Sequence, residues 1–308
     1  MESRYYSLNN YLQETFQEKL YKISLDPGFT CPNRDGTLGT KGCIFCSSKG
    51  SGDFAEDHTL SITEQIEAGK ERVAKKFKGH SYIAYFQAFT GTYGSIDWLR
   101  KSYQEAALHP DIKVISIATR PDCLSLEVLD LLTQIQQIKP LWIELGLQTI
   151  HEKSSAFIRR GYPLATFEEA LKALKERHIP VITHLILGLP GEGLKENLET
   201  IAYINKQKIA GVKLHLLHIL ADTDLATYYQ KHPFYVPTME EYFALLSECI
   251  NHLDPHIVIH RLTGDGDKKT LVAPLWTGNK RKVLNEMNHY FKNHHVQQGK
   301  ENTDDRTF

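Results

Sequence analysis

An incomplete (β/α) barrel is what this sequence predicts: an α/β, TIM-like partial barrel of six strand–helix units with a short C-terminal extension. Three observations predict it. Apolar, β-rich runs recur along the chain, stretches with apolar residues every three or four positions separate them, and the repeats stop short of the eight units of a closed barrel. The runs are Tyr21–Leu25, Tyr82–Phe86, Lys113–Ala118, Leu141–Leu147, Val181–Leu187 and Val212–Ile219. Their near-continuous apolar character marks strands covered on both faces, and helices between them imply parallel pairing with right-handed crossovers. The helical stretches are Thr63–Phe77, Trp98–Leu108, Leu126–Ile138, Phe167–Arg177 and Leu194–Gln207, rich in Glu, Lys, Ala and Leu. After Ile219 only Ile257–Leu262 reads as a further strand. The expected organisation is a helical segment over 1–20, the barrel over 21–262, and an extension over 263–308. In that extension the turn-rich Thr263–Asp267 precedes a helical run through Tyr290 and a flexible polar tail.

Bulk properties narrow the function classes. With 41% hydrophobic and 24% charged residues the chain has enough apolar mass for one large domain, which argues against disorder. It has no apolar run of membrane-spanning length and no signal-peptide layout at its start, so a cytoplasmic location is expected. The formal net charge of −1 excludes a polycationic nucleic-acid binder, so any RNA surface must come from charge segregation. Lys268, Lys269, Lys280, Arg281, Lys282 and Lys292 gather near the C-terminus, where a solvated helix face would give the same count. Of five cysteines, Cys31, Cys43 and Cys46 are clustered while Cys123 and Cys249 stand apart, a pattern of metal ligation rather than of disulfides.

The clustered cysteines lie just after the first strand, in a loop carrying Pro27, Gly28, Pro32, Gly36, Gly39 and Gly42. A loop at the C-terminal end of a parallel barrel strand is where such folds place their chemistry. Cys43 and Cys46, two residues apart, can turn both sulfurs onto one centre, and Cys31 joins across an eleven-residue excursion. Three thiolates on a four-iron cluster leave one iron open for a ligand. The competing reading is a structural zinc with a fourth ligand such as His58. The place of the loop in the α/β alternation, and an aromatic residue, Phe45, directly before the last cysteine, favour the cluster.

On these residues the chain resembles the radical S-adenosylmethionine (SAM) superfamily, whose cluster loop usually reads Cys-x-x-x-Cys-x-aromatic-Cys. The longer first interval is similar to that of the radical domain of the Elongator catalytic subunit. With Pro-Asn-Arg-Asp-Gly-Thr following Cys31, the loop resembles more closely the bacterial YtqA/YhcC-like, or MnmL-like, family. The resemblance covers roughly Tyr5 to Tyr290 and implies a [4Fe–4S] cluster and SAM as cofactors, with Cys31, Cys43 and Cys46 as ligands. It also implies SAM contacts: Phe45 in the loop, Gln87 after the second strand, Gln148 at the end of the fourth, Arg160 twelve residues on and preferred to Arg159, and Gly188 in the Gly-Leu-Pro-Gly turn after the fifth. Where relatives often carry Glu at the end of the third strand, this chain has Ala118. Glu144, a charge on an otherwise apolar strand, takes over that cofactor contact, faces the substrate, or forms a structural ion pair with Arg120.

The resemblance further implies a substrate: the wobble uridine of tRNA, with a carboxymethylaminomethyl group converted to aminomethyl ahead of a downstream tRNA methyltransferase. An electron donor such as flavodoxin or ferredoxin is implied with it. Trp276, Lys280, Arg281 and Lys282 set an aromatic ring beside three cations and are candidate RNA contacts, although a barrel-capping segment with Trp276 buried fits the same residues. His184, His215 and His218 fall on predicted strands and are candidates to line the cavity. The alternatives are a radical SAM enzyme acting on a metabolite or protein, and a zinc-stabilised binding module.

Overall fold

A computed structural model describes residues 4–50, 52, 55–264 and 268–302. The chain divides into two compact units. The first to be described holds residues 12–146 and 161–182, and the second holds 1–11, 147–160 and 183–308.

In the first, strands β1 (Tyr21–Leu25), β2 (Tyr82–Phe86), β3 (Ile112–Thr119) and β4 (Leu141–Gln148) pair in parallel and in sequence order. All five residues of β2 are buried, as expected of an apolar run covered on both faces. The crossover helices are α2 (Ile62–Val73), α3 (Ile96–Leu108) and α4 (Leu126–Ile138), preceded by α1 (Leu8–Phe16) near the N-terminus and followed within the chain by α5 (Glu152–Phe157) and α6 (Leu164–Glu176). Ser61, Ser95 and Ser125 cap α2, α3 and α4, each accepting from the backbone N–H three residues on. α2 stops at Val73, short of the expected Phe77. There Lys76 and Phe77 both turn their N–H groups onto the Val73 carbonyl.

The second unit holds β6 (Gly211–Leu216) and β8 (Val258–Arg261), paired in parallel, with α7 (Leu194–Lys206), α8 (Asp224–Lys231) and α9 (Met239–His252). β5 (Val181–Leu187) completes the single sheet, whose order is β1-β2-β3-β4-β5-β6-β8. That order, strands following one another with helices between, is that of a partial (β/α) barrel. The strand expected at Ile257–Leu262 is therefore its seventh member.

The run Val212–Ile219 does not form one strand. β6 ends at Leu216, the Leu217 N–H turns to the Leu187 carbonyl at 3.0 Å, and Ile219–Leu220 (β7) pairs antiparallel with Leu271–Ala273 (β9). The last helix, α10, spans Lys280–Asn293. Residues 265–267 of the expected turn and 303–308 of the expected tail lie outside the described residues. No helix is long and apolar enough to cross a membrane among the described residues.

Gly69 sets how closely α2 approaches β1. A Cβ there would sit 2.4 Å from Ile23 Cγ2, a β-branched side chain 1% exposed and without room to move. Gly69→Val should therefore destabilise the protein by about 2 kcal/mol, overpacking outweighing the gain in helix propensity. Thermal unfolding of that variant, alone and in an Ile23→Ala background, checks the cause: the penalty should shrink by more than half in the second, and an equal penalty in both would refute the clash.

Candidate functional site

The cysteine loop folds back on itself. Cys31 accepts at its carbonyl from Arg34 N–H at 2.8 Å, Pro32 from Leu38 N–H at 2.8 Å, and Asn33 from Gly42 N–H at 2.7 Å, so the eleven-residue excursion closes as a series of turns. Arg34 then bridges it: one guanidinium nitrogen donates to the carbonyls of Cys46 at 3.0 Å and Ser47 at 2.5 Å, and its carbon lies 5.7 Å over the Phe89 ring. Gly42, at φ +70°, lies directly against that side chain, so a Cβ there would meet Arg34 Nε at 3.0 Å. Asn33, 7% exposed, directs its amide nitrogen to Cys43 Sγ at 3.7 Å.

Burial and the neighbouring Cys46 and Cys31 sulfurs push the Cys43 thiol up to about 12, while Arg120 pulls it the other way. Arg120, 8% exposed, closes its fork on Asp122 at 2.9 and 2.7 Å and lies 4.9 Å over Tyr162. Burial and then Asp122 push the Cys123 thiol up to about 12, with Cys31 adding to the shift. His58, the fourth ligand of the zinc reading, has a side chain 64% exposed beside Asp57.

Glu144 occupies the same unit. Its carboxylate, fully buried, accepts from Lys22 Nζ at 2.9 Å and from Ser116 Oγ at 2.8 Å, and Trp142 Nε1 donates to that hydroxyl at 2.7 Å. The ion-pair partner is thus Lys22, and Arg120 closes on Asp122. A flat sheet would set β1 and β4 about 14 Å apart, so this contact requires the first four strands to curl toward the face that carries Glu144. Gln87, half-buried after β2, accepts from Ser24 Oγ at 3.0 Å, which leaves its amide nitrogen as the donor end.

The other candidates belong to the second unit. Gln148 ends β4 at φ +64°, and Arg160, 1% exposed, braces that turn by donating to the carbonyls of Leu147 at 2.9 Å and Thr149 at 2.7 Å. Thr149 donates its hydroxyl to Glu192 at 2.7 Å, which ties the end of β4 to the turn after β5. Gly188 opens that turn at φ +78°, where a Cβ would meet Leu216 at 3.1 Å. Gln148, Arg160 and Gly188 are therefore joined through Thr149 and Glu192, two residues the sequence reading passed over because neither stands out by type or spacing.

Trp276 is half-buried. It donates to the Pro237 carbonyl at 3.1 Å and packs against Tyr242 and Phe243, with ring centroids 5.8 and 6.3 Å away. Lys280, Arg281 and Lys282 stand exposed in the first turn of α10.

Residues 31–204 match the Radical SAM superfamily, and residues 209–293 match the Radical_SAM C-terminal domain. The chain belongs to the radical SAM superfamily. It is 40% identical to the uncharacterized protein YtqA of Bacillus subtilis over 97% of this chain and 93% of that one. It is 37% identical to the protein YhcC of Escherichia coli over 93% of this chain and 92% of that one. Among solved structures, an archaeal Elp3 of Methanocaldococcus infernus superposes with a TM-score of 0.68 at 15% identity, over 91% of this chain and 64% of that one.

Radical SAM enzymes use a [4Fe–4S] cluster and SAM, and the loop suits such a cluster. It offers three thiols, with an amide N–H on one sulfur and Arg120 to offset negative charge. When bound, the cluster supplies the electron that cleaves SAM to methionine and a 5′-deoxyadenosyl radical. The chain's own part is to present Cys31, Cys43 and Cys46 as the thiols that would hold the cluster, and to frame their loop with Arg34 and Asn33.

Cys43→Ala should abolish iron incorporation after anaerobic reconstitution with ferrous iron and sulfide, read by iron content and the visible spectrum; a variant retaining the full iron load would refute the ligand set. Lys22→Met should cost about 3 kcal/mol by removing the cation that donates to the buried Glu144 carboxylate. The double change with Glu144→Gln should recover much of that loss in thermal unfolding, and a purely additive result would show that the pair is not coupled.

Proposed function

We propose that this radical SAM enzyme acts in the cytoplasm on the wobble uridine of tRNA, converting a carboxymethylaminomethyl group to aminomethyl before a tRNA methyltransferase completes the modification. Flavodoxin or ferredoxin would serve as the electron donor. In this reading the cluster sits on Cys31, Cys43 and Cys46. SAM meets Phe45, Gln87, Gln148 and the Gly188 turn, while Glu144 and Arg160 act from behind by fixing the strands that carry those contacts.

The observation that carries the tRNA reading, beside the likeness to the YtqA/YhcC family, is the first turn of α10. Lys280, Arg281 and Lys282 stand there together and exposed, capped by Asn279 Oδ1 on Lys282 N–H at 3.2 Å. Cations at a helix N-terminus oppose the macrodipole, so three of them form an unfavourable arrangement for the isolated protein. A phosphate reverses the sign, because the helix end and the side chains then attract the same anion. Trp276 is engaged with Pro237, Tyr242 and Phe243, so it braces this turn and leaves the contact to the cations.

Mass analysis of tRNA nucleosides from a deletion strain should show carboxymethylaminomethyl uridine accumulating and its aminomethyl product depleted; an unchanged profile would remove the tRNA assignment in favour of a metabolite or protein substrate. Replacing Lys280, Arg281 and Lys282 with Ala should weaken tRNA binding and lower the slope of log affinity against log salt by up to about three. An unaltered slope would place the RNA elsewhere.

A further inference from the structure

Within the cysteine loop, Asn33 and Arg34 do different things. Arg34 holds the carbonyls of Cys46 and Ser47, whereas Asn33 addresses a sulfur directly. Its side-chain amide nitrogen donates to Cys43 Sγ at 3.7 Å, and the residue is only 7% exposed. The Asn33 carbonyl accepts from Gly42 N–H at 2.7 Å, so the backbone and the side chain of one residue hold both sides of the Gly42–Cys43 step. On its other side the amide packs against Gly161, which stands at φ +85°. A Cβ there would lie 2.8 Å from Asn33 Oδ1, 3.2 Å from Nδ2 and 3.3 Å from Arg120 Nη2. No side chain fits that place, so Gly161 is what leaves the amide its room. Asn33, Cys43, Arg120 and Gly161 all belong to the same unit.

An amide offers an accepting oxygen at one end and a donating nitrogen at the other, and a thiolate sulfur only accepts. The oxygen is the end nearer Gly161 and the nitrogen is the end on Cys43. That is the orientation a negatively charged sulfur requires. Hydrogen bonds to the ligand sulfurs are among the terms that set the potential of an iron–sulfur cluster. Reduction adds one negative charge next to Cys43, and an N–H already aimed at that sulfur stabilises the charge where it develops, from a residue itself shielded from water.

We propose that Asn33 tunes the cluster: its amide raises the reduction potential of the centre through the N–H···S bond to Cys43, and Gly161 keeps the amide in place. The electron needed to cleave SAM can then come from a milder donor than the bare thiols would demand. This inference rests on the cluster reading of Cys31, Cys43 and Cys46 and on no assignment of the substrate. Asn33 is thus a positioning residue that acts through a ligand, before any substrate atom reacts.

The test uses the whole chain, reconstituted anaerobically with ferrous iron and sulfide and poised at a series of potentials without SAM, with the reduced cluster followed by electron paramagnetic resonance. Asn33→Leu keeps the bulk and removes the donor. At the wild-type midpoint it should lower the ratio of reduced to oxidised cluster about tenfold, a downward shift of about 59 mV for one electron, at unchanged iron content. Gly161→Ala should move the midpoint in the same direction, although it removes no donor. An iron-loaded Asn33→Leu protein with the wild-type midpoint overturns the proposal, and an iron-loaded Gly161→Ala protein with that midpoint overturns the part given to Gly161. If the Leu variant takes up no iron, the wild type decides. With asparagine labelled by nitrogen-15 at the side-chain amide, pulsed resonance of its reduced cluster should show a coupling to that nitrogen, and absence of the coupling overturns the proposal. A wild-type protein that takes up no iron overturns instead the ligand set beneath it, so the two failures are told apart.

Discussion

Three thiols close together in one loop could serve as donors to a common centre only if positive charge stands beside them, and the cysteine loop is arranged to meet that requirement. Burial and mutual repulsion keep Cys43 a thiol far above neutrality, a state that yields only when iron supplies the missing charge. Arg34 contributes to the frame rather than to the ligands: by holding the carbonyls of Cys46 and Ser47 it closes the arm that carries Cys43 and Cys46. Arg120, fixed by Asp122 and Tyr162, supplies fixed positive charge nearby. The long interval between Cys31 and Cys43 is thus occupied by turns and a clamp, which explains how a spacing unlike the short one of most relatives can present a similar set of donors.

Buried charge recurs in each unit, and strand geometry decides what it does. In the first, Glu144 meets Lys22 and the Ser116 hydroxyl, and a carboxylate otherwise costly to bury becomes the pin of a curled sheet. In the second, Lys213 and Arg261 meet as like charges beside a neutral imidazole. The first arrangement is satisfied within the protein and braces it.

Much of the scaffold was legible from residues alone, since β2, β5 and α4 fall where the periodicity put them. The run at Val212–Ile219 misled because apolar residues continue past the true strand end, and the partner of Ile219–Leu220 is a segment some fifty residues away that no local pattern announces. α9 passed unread although Thr238 and Glu241 form a capping box at its start, a signal present in the sequence. Among the site residues, the spacing and flanking residues singled out the three cysteines, but Asn33, Arg34, Thr149 and Glu192 act through backbone carbonyls, sulfur or one another, and such roles leave no mark of residue type.

By itself the sequence determined the class of fold and the family and singled out three cysteines as the expected donors, because hydrophobic period and cysteine spacing are local properties that survive without three-dimensional context. Tertiary structure alone decided which charges meet. Lys22 and Glu144 are 122 residues apart in sequence, and Lys213 and Arg261 face each other only because β8 takes its place beside β6. The energy of a charge depends on what lies within a few ångströms of it, and that neighbourhood exists only once the chain has folded.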